Sequence, residues 1–312
     1  MNTARFLQMS GVVVDLLYRV KSVPLPGEEA HVTDFSTETG GGFNAMVAAR
    51  RSGMEVSYGG SMGTGVFADI AIKSMQNENI QILRGPAATV DLGCCVVLID
   101  DRGERTFVAK EGAEGVMKPG DLSAIDATAY DWTLLSGYTL AYEHSRDVLG
   151  AWLDALPAKA KLIFDPSPIV DRIPETIRES AMAASTWISA NAAEASILCG
   201  ISDPGEAVMA LAKKARHGGG AVVRAGAEGC FVAERDGLGS HVPGYPVDAV
   251  DTNGAGDTHL GAFAAALSRN LSPIEAAGVA NAAAALSTTR RGPATAPFLK
   301  EVEAFLASQQ RG

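Results

Sequence analysis

Short apolar stretches alternate along the chain with segments whose apolar positions recur at helical spacing. Strand-like stretches lie at about 6–14, 54–58, 131–136, 161–164, 186–190, 221–224 and 230–233. Helical patterns lie at about 44–52, 64–78, 143–156, 174–184, 204–217, 257–268 and 273–288. This alternation predicts βαβ units. It therefore predicts a three-layer α/β/α fold, in which helices cover both faces of a mostly parallel central sheet.

Two segments interrupt the alternation. The segment of about 12–39 contains strand-like pieces and two prolines, and it has no helical pattern. Residues of about 93–112 indicate a hairpin, with strands at Cys94–Ile99 and Thr106–Lys110. Together they predict a small β-sheet that projects from the main sheet as a lid. No linker or repeat is present, so we expect residues 1–312 to form one domain that carries this lid.

Composition and charge exclude several partners. The 312 residues are 47% hydrophobic and 20% charged, as in ordinary globular proteins. A formal net charge of −10 disfavours binding to nucleic acid or to anionic membranes. The chain offers neither a long uncharged apolar stretch nor a signal-peptide pattern, and its four cysteines lack the spacing of zinc ligands. We therefore expect a cytoplasmic protein with no membrane or nucleic-acid partner.

The strongest chemical signal is the stretch Asp-Thr-Asn-Gly-Ala-Gly-Asp at 251–257, which leads directly into a helical pattern. Gly254 and Gly256 allow a sharp turn, and the backbone amides at the helix start can hold phosphate or developing negative charge. Asp257 lies at the mouth of this turn, where a carboxylate can take the proton from an attacking hydroxyl. By itself, the pattern equally describes a helix N-cap after a glycine turn.

Other polar residues follow predicted strands or begin predicted helices. Asp15 ends the first strand, where its carboxylate can accept hydrogen bonds from sugar hydroxyls or face water. Asn44 follows three glycines and offers both a donor and an acceptor to a polyol. Asn191 and Glu194 stand three residues apart at a helix start, where they can orient phosphate or the waters of Mg²⁺.

Two glycine motifs near residue 60 suggest other chemistry. Residues 59–63 match the G-x-S-x-G pattern of serine hydrolases, with Ser61 as nucleophile. Residues 63–68 resemble a G-x-G-x-x-A dinucleotide fingerprint, although no acidic residue follows at the required distance. The first keeps a hydrolase open as an alternative, whereas the second is more typical of a tight strand-to-helix turn.

Taken together and in this order, the motifs resemble the ribokinase-like (PfkB) family of carbohydrate and nucleoside kinases, over essentially the whole chain. Residues 251–257 are similar to its C-terminal D-T-x-G-A-G-D motif, residues 40–53 to its N-terminal G-G-x-x-x-N motif, and residues 191–194 to its N-x-x-E motif. Residues 224–229 resemble its nucleotide-side loop with paired glycines, and 103–106 fit its lid hairpin.

The resemblance implies ATP-dependent transfer of the γ-phosphoryl group to a hydroxyl of a small carbohydrate. Asp257 would act as general base, and the amides of Ala255, Gly256 and Asp257 would form the anion hole. Gly254, which permits the turn before them, is counted with the catalytic residues. The sugar would be held by Asp15, Gly41 and Asn44 together with Asp257. The residues implied for the nucleotide are Asn191, Arg224, Gly226, Gly229 and Asn281.

The resemblance also implies cofactors. Mg²⁺ would be served by Glu194 through water, and a monovalent cation such as K⁺ by backbone oxygens around Asp251, Asn253 and 291–293. A projecting β-lid further suggests a homodimer, because exposed strand edges readily pair with a second copy.

Because of two departures from the family pattern, the sequence does not determine which acceptor is phosphorylated. Thr39 stands where the N-terminal motif usually begins with glycine, and Arg224 replaces the usual Thr or Lys. A nucleoside kinase on the same fold would need lid residues over a base, for which Tyr18 and Phe107 are candidates. A sugar-phosphate kinase would need basic groups, for which the candidates are Arg19, Arg102 and Arg105. A non-catalytic sugar- or nucleotide-binding regulator is the remaining alternative.

Overall fold

The computed structural model describes residues 3–86 and 89–309. Its strands are β1 (Arg5–Gln8), β2 (Val12–Val20), β3 (Val32–Gly41), β4 (Glu55–Tyr58), β5 (Gln81–Ile82), β6 (Cys94–Ile99), β7 (Arg105–Lys110), β8 (Trp132–Ser136), β9 (Leu162–Asp165), β10 (Trp187–Asn191), β11 (Gly220–Arg224), β12 (Gly229–Glu234) and β13 (Ser240–Pro243). Its α-helices are α1 (Gly42–Arg51), α2 (Val66–Asn77), α3 (Gly137–Ala141), α4 (Glu143–Asp154), α5 (Glu175–Ala184), α6 (Ala192–Cys199), α7 (Pro204–Ala212), α8 (Ala255–Ser268), α9 (Pro273–Thr288) and α10 (Leu299–Gln309).

The larger sheet has the strand order β13-β12-β11-β10-β9-β8-β1-β4-β5 among the described residues. Every pairing from β11 to β5 is parallel, and β12 and β13 add two antiparallel pairings at one edge. Parallel neighbours bring their carboxyl ends to the same edge of the sheet, where ligands bind in open α/β folds. The mostly parallel sheet predicted from the sequence is confirmed.

Helices cover both faces of this sheet. Successive strand residues alternate between two apolar clusters, as with Phe6 and Leu7 or Ile163 and Phe164. One cluster packs against α1, α2, α8, α9 and α10, and the other against α3 to α7. The result is the three-layer α/β/α arrangement that the pattern predicts. No helix in the described part of the chain is long and apolar enough to cross a membrane.

A second sheet with the strand order β3-β2-β6-β7 forms the lid. It is built from the two segments that interrupt the α/β alternation, and β6 and β7 form the predicted hairpin. Along β2, the side chains of Asp15, Leu17 and Arg19 lie on one face, and those of Leu16 and Tyr18 lie on the other.

Two predicted element boundaries are wrong. The apolar stretch 6–14 is divided between β1 in the main sheet and β2 in the lid. Hydrophobicity cannot reveal this division, because both halves are buried. The helix predicted at 204–217 ends at Ala212, since the backbone N–H of Arg216 donates to the carbonyl of Ser185 (2.7 Å). The Arg216 side chain also donates to carbonyls of residues 156, 157 and 160, and these tertiary hydrogen bonds outweigh helix propensity.

Candidate active site

The turn before α8 presents free backbone amides at the carboxyl edge of the main sheet. Gly254 has a left-handed conformation (φ 73°), and a Cβ there would collide with the carbonyl oxygen of Pro293. The N–H groups of Gly256 and Asp257 have no acceptor within the described residues, whereas that of Ala255 donates to the carbonyl of Thr252 (3.3 Å). Of the three amides that the sequence predicts as an anion hole, two are therefore free to bind an anion and one is partly engaged.

Asp257 and Asn44 meet across the packed helices α8 and α1. The side-chain amide of Asn44 donates to Oδ2 of Asp257 over 3.0 Å. The helices approach closely because Gly261 has no side chain, and a Cβ there would lie 2.5 Å from the carbonyl oxygen of Ala45. The bond fixes one oxygen of the Asp257 carboxylate and leaves the other available to an acceptor hydroxyl.

The surroundings of Asp257 suit a general base. Burial raises its pKa to about 6, and the charge of Asp165 raises the pKa further, while the Asn44 hydrogen bond and the Arg224 charge lower it. A carboxyl group with this pKa is largely ionised at neutral pH. It is also a stronger proton acceptor than an ordinary aspartate.

Asp15 approaches the same place from the lid. Burial raises the pKa of Asp15 to about 7, and the charges of Asp257 and Glu38 add to the increase. Glu38 faces Asp15 across β2 and β3, and burial raises its pKa as well. Asp15, Glu38 and Asp257 therefore form a group of interacting carboxyl groups.

The glycines of the N-terminal motif have distinct roles. A Cβ at Gly40 would collide with Oδ2 of Asp15, so Gly40 is the glycine of this motif that lies against the Asp15 carboxylate. Gly41 has φ 63° and precedes α1, and a Cβ there would lie 2.9 Å from the carbonyl oxygen of Gly11. Gly41 thus forms a tight turn, and this turn sets the direction in which α1 begins, towards Asp257.

Arg224 lies on the other side of the anion hole, at the end of β11. Its guanidinium donates to Ser189 (2.7 Å) and lies 3.3 Å from Asp165 and 3.6 Å from Glu194. A Cβ built on Gly256 would lie 3.5 Å from Nε of Arg224, so this charge is next to the free amides. Arg224 adds a positive charge where phosphate oxygens would lie.

Asn191 and Glu194 form a reciprocal cap at the start of α6. The Asn191 side chain accepts from the N–H of Glu194, and the Glu194 carboxylate accepts from the Asn191 backbone and side chain (2.7–2.8 Å). Burial raises the pKa of Glu194, the Asp165 charge adds to the increase, and Arg224 opposes it. Two buried carboxyl groups thus share one guanidinium.

The two carboxyl groups of Asp165 and Glu194 exceed the single positive charge of Arg224, and this excess favours the Mg²⁺ that the resemblance implies. Mg²⁺ prefers carboxylate and water oxygens, and Asp165 and Glu194 offer such oxygens beside the anion hole. No cluster of three or more acidic, His or Cys side chains with metal-binding geometry occurs among the described residues. The donor set therefore fits an ion that keeps most of its waters and phosphate ligands.

The remaining residues implied for the nucleotide lie farther along the same side. Gly226 has φ 62° with open space around it, whereas a Cβ at Gly229 would collide with the carbonyl oxygen of Val242. The side-chain amide of Asn281 donates to the carbonyls of Val242 (2.9 Å) and Pro243 (3.1 Å). In these contacts Gly229 and Asn281 position β13 beside α9.

Asp251 joins the lid to the anion loop. Oδ1 accepts from the backbone N–H of Asn253 (2.9 Å), Oδ2 accepts from that of Gly292 (3.2 Å), and Arg105 of the lid forms an ion pair with Oδ1. This contact places Arg105 on the inner face of the lid.

The two glycine motifs near residue 60 have structural roles. The buried Ser61 hydroxyl donates to the carbonyl of Val116 (2.6 Å) and accepts from Arg84 (3.1 Å). These contacts do not pair Ser61 with a histidine, as the nucleophile of a serine hydrolase would be. The start of α2 is capped by Asp91, which accepts from the amides of Phe67 and Ala68. That helix N-terminus is occupied by a carboxylate of the protein itself.

The sequence motifs do not indicate the importance of several residues of the site. Asp165 ends β9, and a carboxylate at the end of a predicted strand is a signal that could have found it. Asp15 does not end the first strand as predicted, because it lies within β2 of the lid, where it pairs with Glu38. Glu38 and Gly40 become relevant only through the pairing of β2 with β3. Gly261 looks like an ordinary helical glycine until α1 is packed against it.

A carboxylate beside free helix amides, at the carboxyl edge of an α/β sheet, is an arrangement that suits phosphoryl transfer to an alcohol group. Comparison with known proteins agrees. The model of the pfkB family of carbohydrate kinases matches residues 9–299, and the chain belongs to this family. The resemblance seen in the motifs is thereby confirmed.

Relatives and solved structures extend this result. An uncharacterised sugar kinase of Escherichia coli (strain K12), YegV, is 29% identical over 297 residues, covering 94% of this chain and 91% of the relative. Ribokinase of Thermotoga maritima has a TM-score of 0.81 at 24% identity, covering 98% of this chain and 100% of the other. Arabidopsis thaliana ribokinase, solved with ribose and ATP, has a TM-score of 0.79 at 20% identity, covering 98% and 99%. The fold is therefore ribokinase-like.

Proposed function

We propose that this protein is an ATP-dependent sugar kinase in which Asp257 is the general base. The observation that carries the proposal is the Asp257 carboxylate, held by Asn44 at the mouth of two free helix amides. The carboxylate takes the proton of the acceptor hydroxyl as its oxygen attacks the γ-phosphorus, and the bond to the ADP oxygen breaks. The amides of Gly256 and Asp257 stabilise the charge on the transferring group.

The other charged groups position the reactants. Arg224 would contact phosphate oxygens beside Gly256, and the bound Mg²⁺ would neutralise phosphate charge. Glu194 and Asp165 would hold this ion through water. Asp15 would hold the acceptor from the lid, which excludes water from the reaction. The Arabidopsis ribokinase solved with ribose and ATP supports this pairing of ligands. A cytoplasmic location would suit ATP as donor and the free cysteines found among the described residues.

The acceptor pocket favours a neutral polyol over a sugar phosphate. Its carboxyl groups, Asp15 and Glu38, would repel a phosphate monoester. The basic side chains proposed for a phosphate each have an acidic partner: Arg19 lies 3.8 Å from Asp34, Arg102 lies 2.9 Å from Asp100, and Arg105 is paired with Asp251. A neutral sugar is the acceptor that these charges accommodate.

A nucleoside is the second candidate acceptor, because one exposed aromatic residue lies on the inner face of the lid. Phe107 is opposite Val97 in the β6–β7 pairing and is 61% exposed, so its ring can cover a base. Tyr18 cannot share this task, because it lies on the outer face and packs against Phe35 (ring centroids 4.8 Å apart). A purely regulatory role is disfavoured, since the Asp257 site has all the groups that catalysis needs.

A screen of acceptors tests the proposed function. ADP formation from ATP and Mg²⁺ is measured over pentoses, hexoses, nucleosides and sugar phosphates. Sugar-dependent ADP formation is expected, with sugar phosphates inactive. Release of ADP with nucleosides alone would favour the second candidate. A complete absence of acceptor-dependent turnover, in the presence of nucleotide binding, would favour a regulator.

The pH dependence of turnover follows from the pKa of Asp257. A base must be unprotonated to act, and the pKa of this carboxyl group is raised to about 6. We therefore expect kcat to fall as the pH decreases through about 6 and to be constant well above it. Steady-state rates between about pH 5 and 8 measure this profile. A kcat that is unchanged at pH 5 would contradict a base with a raised pKa.

We propose a homodimer formed through the lid. The outer face of the lid carries a contiguous apolar patch of Leu16, Tyr18, Phe35, Val96 and Val108, with Phe35 51% and Val108 62% exposed. The sheet also ends in two edge strands, β3 and β7. A projecting sheet with an apolar face and open edges suits a second copy of itself.

Light scattering measures the mass of the particle. We expect a dimer for the unaltered protein and a monomer for Phe35→Asp, because the new charge would be buried at the interface. Leu238→Asp is the matched control: Leu238 is 87% exposed in a turn of the main domain, and its replacement should leave the dimer intact. A monomeric unaltered protein would contradict the proposal.

A further inference from the structure

The Asp251 carboxylate is fully engaged by the protein. It is buried at the start of the anion loop, and it accepts two backbone hydrogen bonds in addition to the Arg105 ion pair. The backbone donors belong to Asn253 in the same loop and to Gly292 in the loop that follows α9. Gly292 has φ 104°, and the adjacent Pro293 carbonyl lies against Gly254. Asp251 therefore fixes the two loops that shape the anion hole.

Arg105 reaches this carboxylate from a separate sheet. It is the first residue of β7 and pairs with Ile99 of β6, so its backbone belongs to the lid. Only 21% of its side chain is exposed, and its Nε is buried without a partner among the described residues. The guanidinium is inserted into the protein, unlike that of Arg102 in the same hairpin, whose side chain is 82% exposed.

A small cavity of about 90 Å³ separates the lid from these loops. Three guanidinium groups line it, from Arg19, Arg105 and Arg291. The carboxylates in its wall are those of Asp34, Glu38 and Asp251. Positive and negative side chains are thus equal in number, and no negative charge in the wall requires an added cation.

These residues do not fit the monovalent cation that the family resemblance implies at the 251–253 and 291–293 loops. Such an ion is coordinated by several oxygen atoms, mostly carbonyls, and a nearby carboxylate without a counter-charge favours its binding. Here the only carboxylate in the two loops already has a fixed positive partner, and a second cation would face the Arg105 and Arg291 guanidinium groups. Repulsion from these two guanidinium groups disfavours the binding of a second cation.

We propose that Arg105 supplies, from the lid, the positive charge that a monovalent cation would otherwise bring to the anion loop, so that this kinase needs no K⁺ or Na⁺. The inference rests on the proposed kinase function. Arg105 is a positioning residue, because it acts on the reacting groups through Asp251 and the turn at Gly254. The same contact couples lid closure to order in the anion hole, since withdrawal of β7 would leave Asp251 without its counter-charge.

The experiment compares salts at equal ionic strength. ATP is supplied as a Tris salt with MgCl₂, and ADP is measured by chromatography so that no coupling enzyme adds a salt requirement of its own. The unaltered protein should turn over at rates within about twofold in tetramethylammonium chloride and in KCl, each at about 0.1 M. Arg105→Met should be slower by about tenfold or more in tetramethylammonium chloride and should recover on addition of K⁺.

A second readout does not depend on catalysis. The thermal unfolding midpoint of Arg105→Met should rise with K⁺ concentration relative to tetramethylammonium, because an ion that binds only the folded state stabilises it. The midpoint of the unaltered protein should show no such difference. Arg102→Met is the matched control in the same hairpin and should behave as the unaltered protein. Arg105→Lys keeps the charge and should remain independent of K⁺.

Each outcome bears on the proposal. Strong stimulation of the unaltered protein by K⁺ would overturn it, and so would an Arg105→Met variant that is fully active without K⁺. If Arg105→Met fails to fold, the unaltered protein and Arg105→Lys still decide the matter. Failure of the proposed kinase function would give a different result, because no salt would then produce acceptor-dependent ADP. The thermal unfolding test would still show whether Arg105→Met binds K⁺.

Discussion

Replacing Asp257 with Asn is expected to lower kcat by about 10³-fold or more while leaving the binding of ATP and sugar nearly unchanged. An amide has almost the same shape as a carboxylate and can still accept the 3.0 Å hydrogen bond from Asn44. It cannot accept the proton of the attacking hydroxyl. Steady-state kinetics measure kcat, and thermal shifts with ATP and with the sugar measure binding.

A matched control separates loss of the base from a general effect of removing a charge. Asp203 caps α7 by accepting from the N–H of Glu206 (2.8 Å), and an asparagine caps helices equally well. Asp203→Asn should therefore have normal activity. Turnover of Asp257→Asn within about tenfold of the unaltered rate would remove Asp257 from the role of general base.

Replacing Gly254 with Ala should disrupt the anion hole itself. Gly254 has φ 73°, which costs a residue with a side chain about 1–3 kcal/mol. A Cβ would also collide with the carbonyl oxygen of Pro293, so the turn must move away from the 291–293 loop. Displaced amides no longer meet the transferring phosphoryl group, and we expect kcat/KM to fall by about 10²-fold or more.

The control for Gly254→Ala is a glycine with the same backbone strain in open space. Gly120 has φ 90° and nothing within 4 Å of the position of a Cβ. Gly120→Ala should lower the thermal midpoint, because the same positive φ strains an alanine, and it should leave kcat/KM unchanged. If Gly254→Ala loses stability but keeps its kcat/KM, the turn would be structural and the anion hole would lie elsewhere.

Local patterns predicted the parts of the site that are contiguous in sequence. The glycine turn and helix of 251–268 and the cap formed by Asn191 and Glu194 occur where the motifs indicate. Their physical basis is short range, because glycine conformation and capping depend on a few neighbouring residues. For the same reason, the hairpin of the lid could be placed from its turn and its two apolar strands.

Contacts between distant segments could not be predicted in this way. The sequence indicates that Arg105 belongs to a lid hairpin, but only the tertiary structure pairs it with Asp251, 146 residues away. In the same way, Asp165 gains its importance from Arg224, which ends β11 two strands away in the sheet, and from Glu194 in the helix that follows the strand between them. A motif contains no information about which charges face each other across a cleft.

The amino-acid sequence by itself determined the class of fold, the family and the glycine turn with its carboxylate, because periodicity and glycine placement act over short distances. Tertiary packing decided the protonation behaviour and the positive partners of the site. The pKa of Asp257 depends on burial between α1 and α8 and on the charges of Asp165 and Arg224. Such electrostatic effects depend on distances through space, which the order of residues along the chain does not specify.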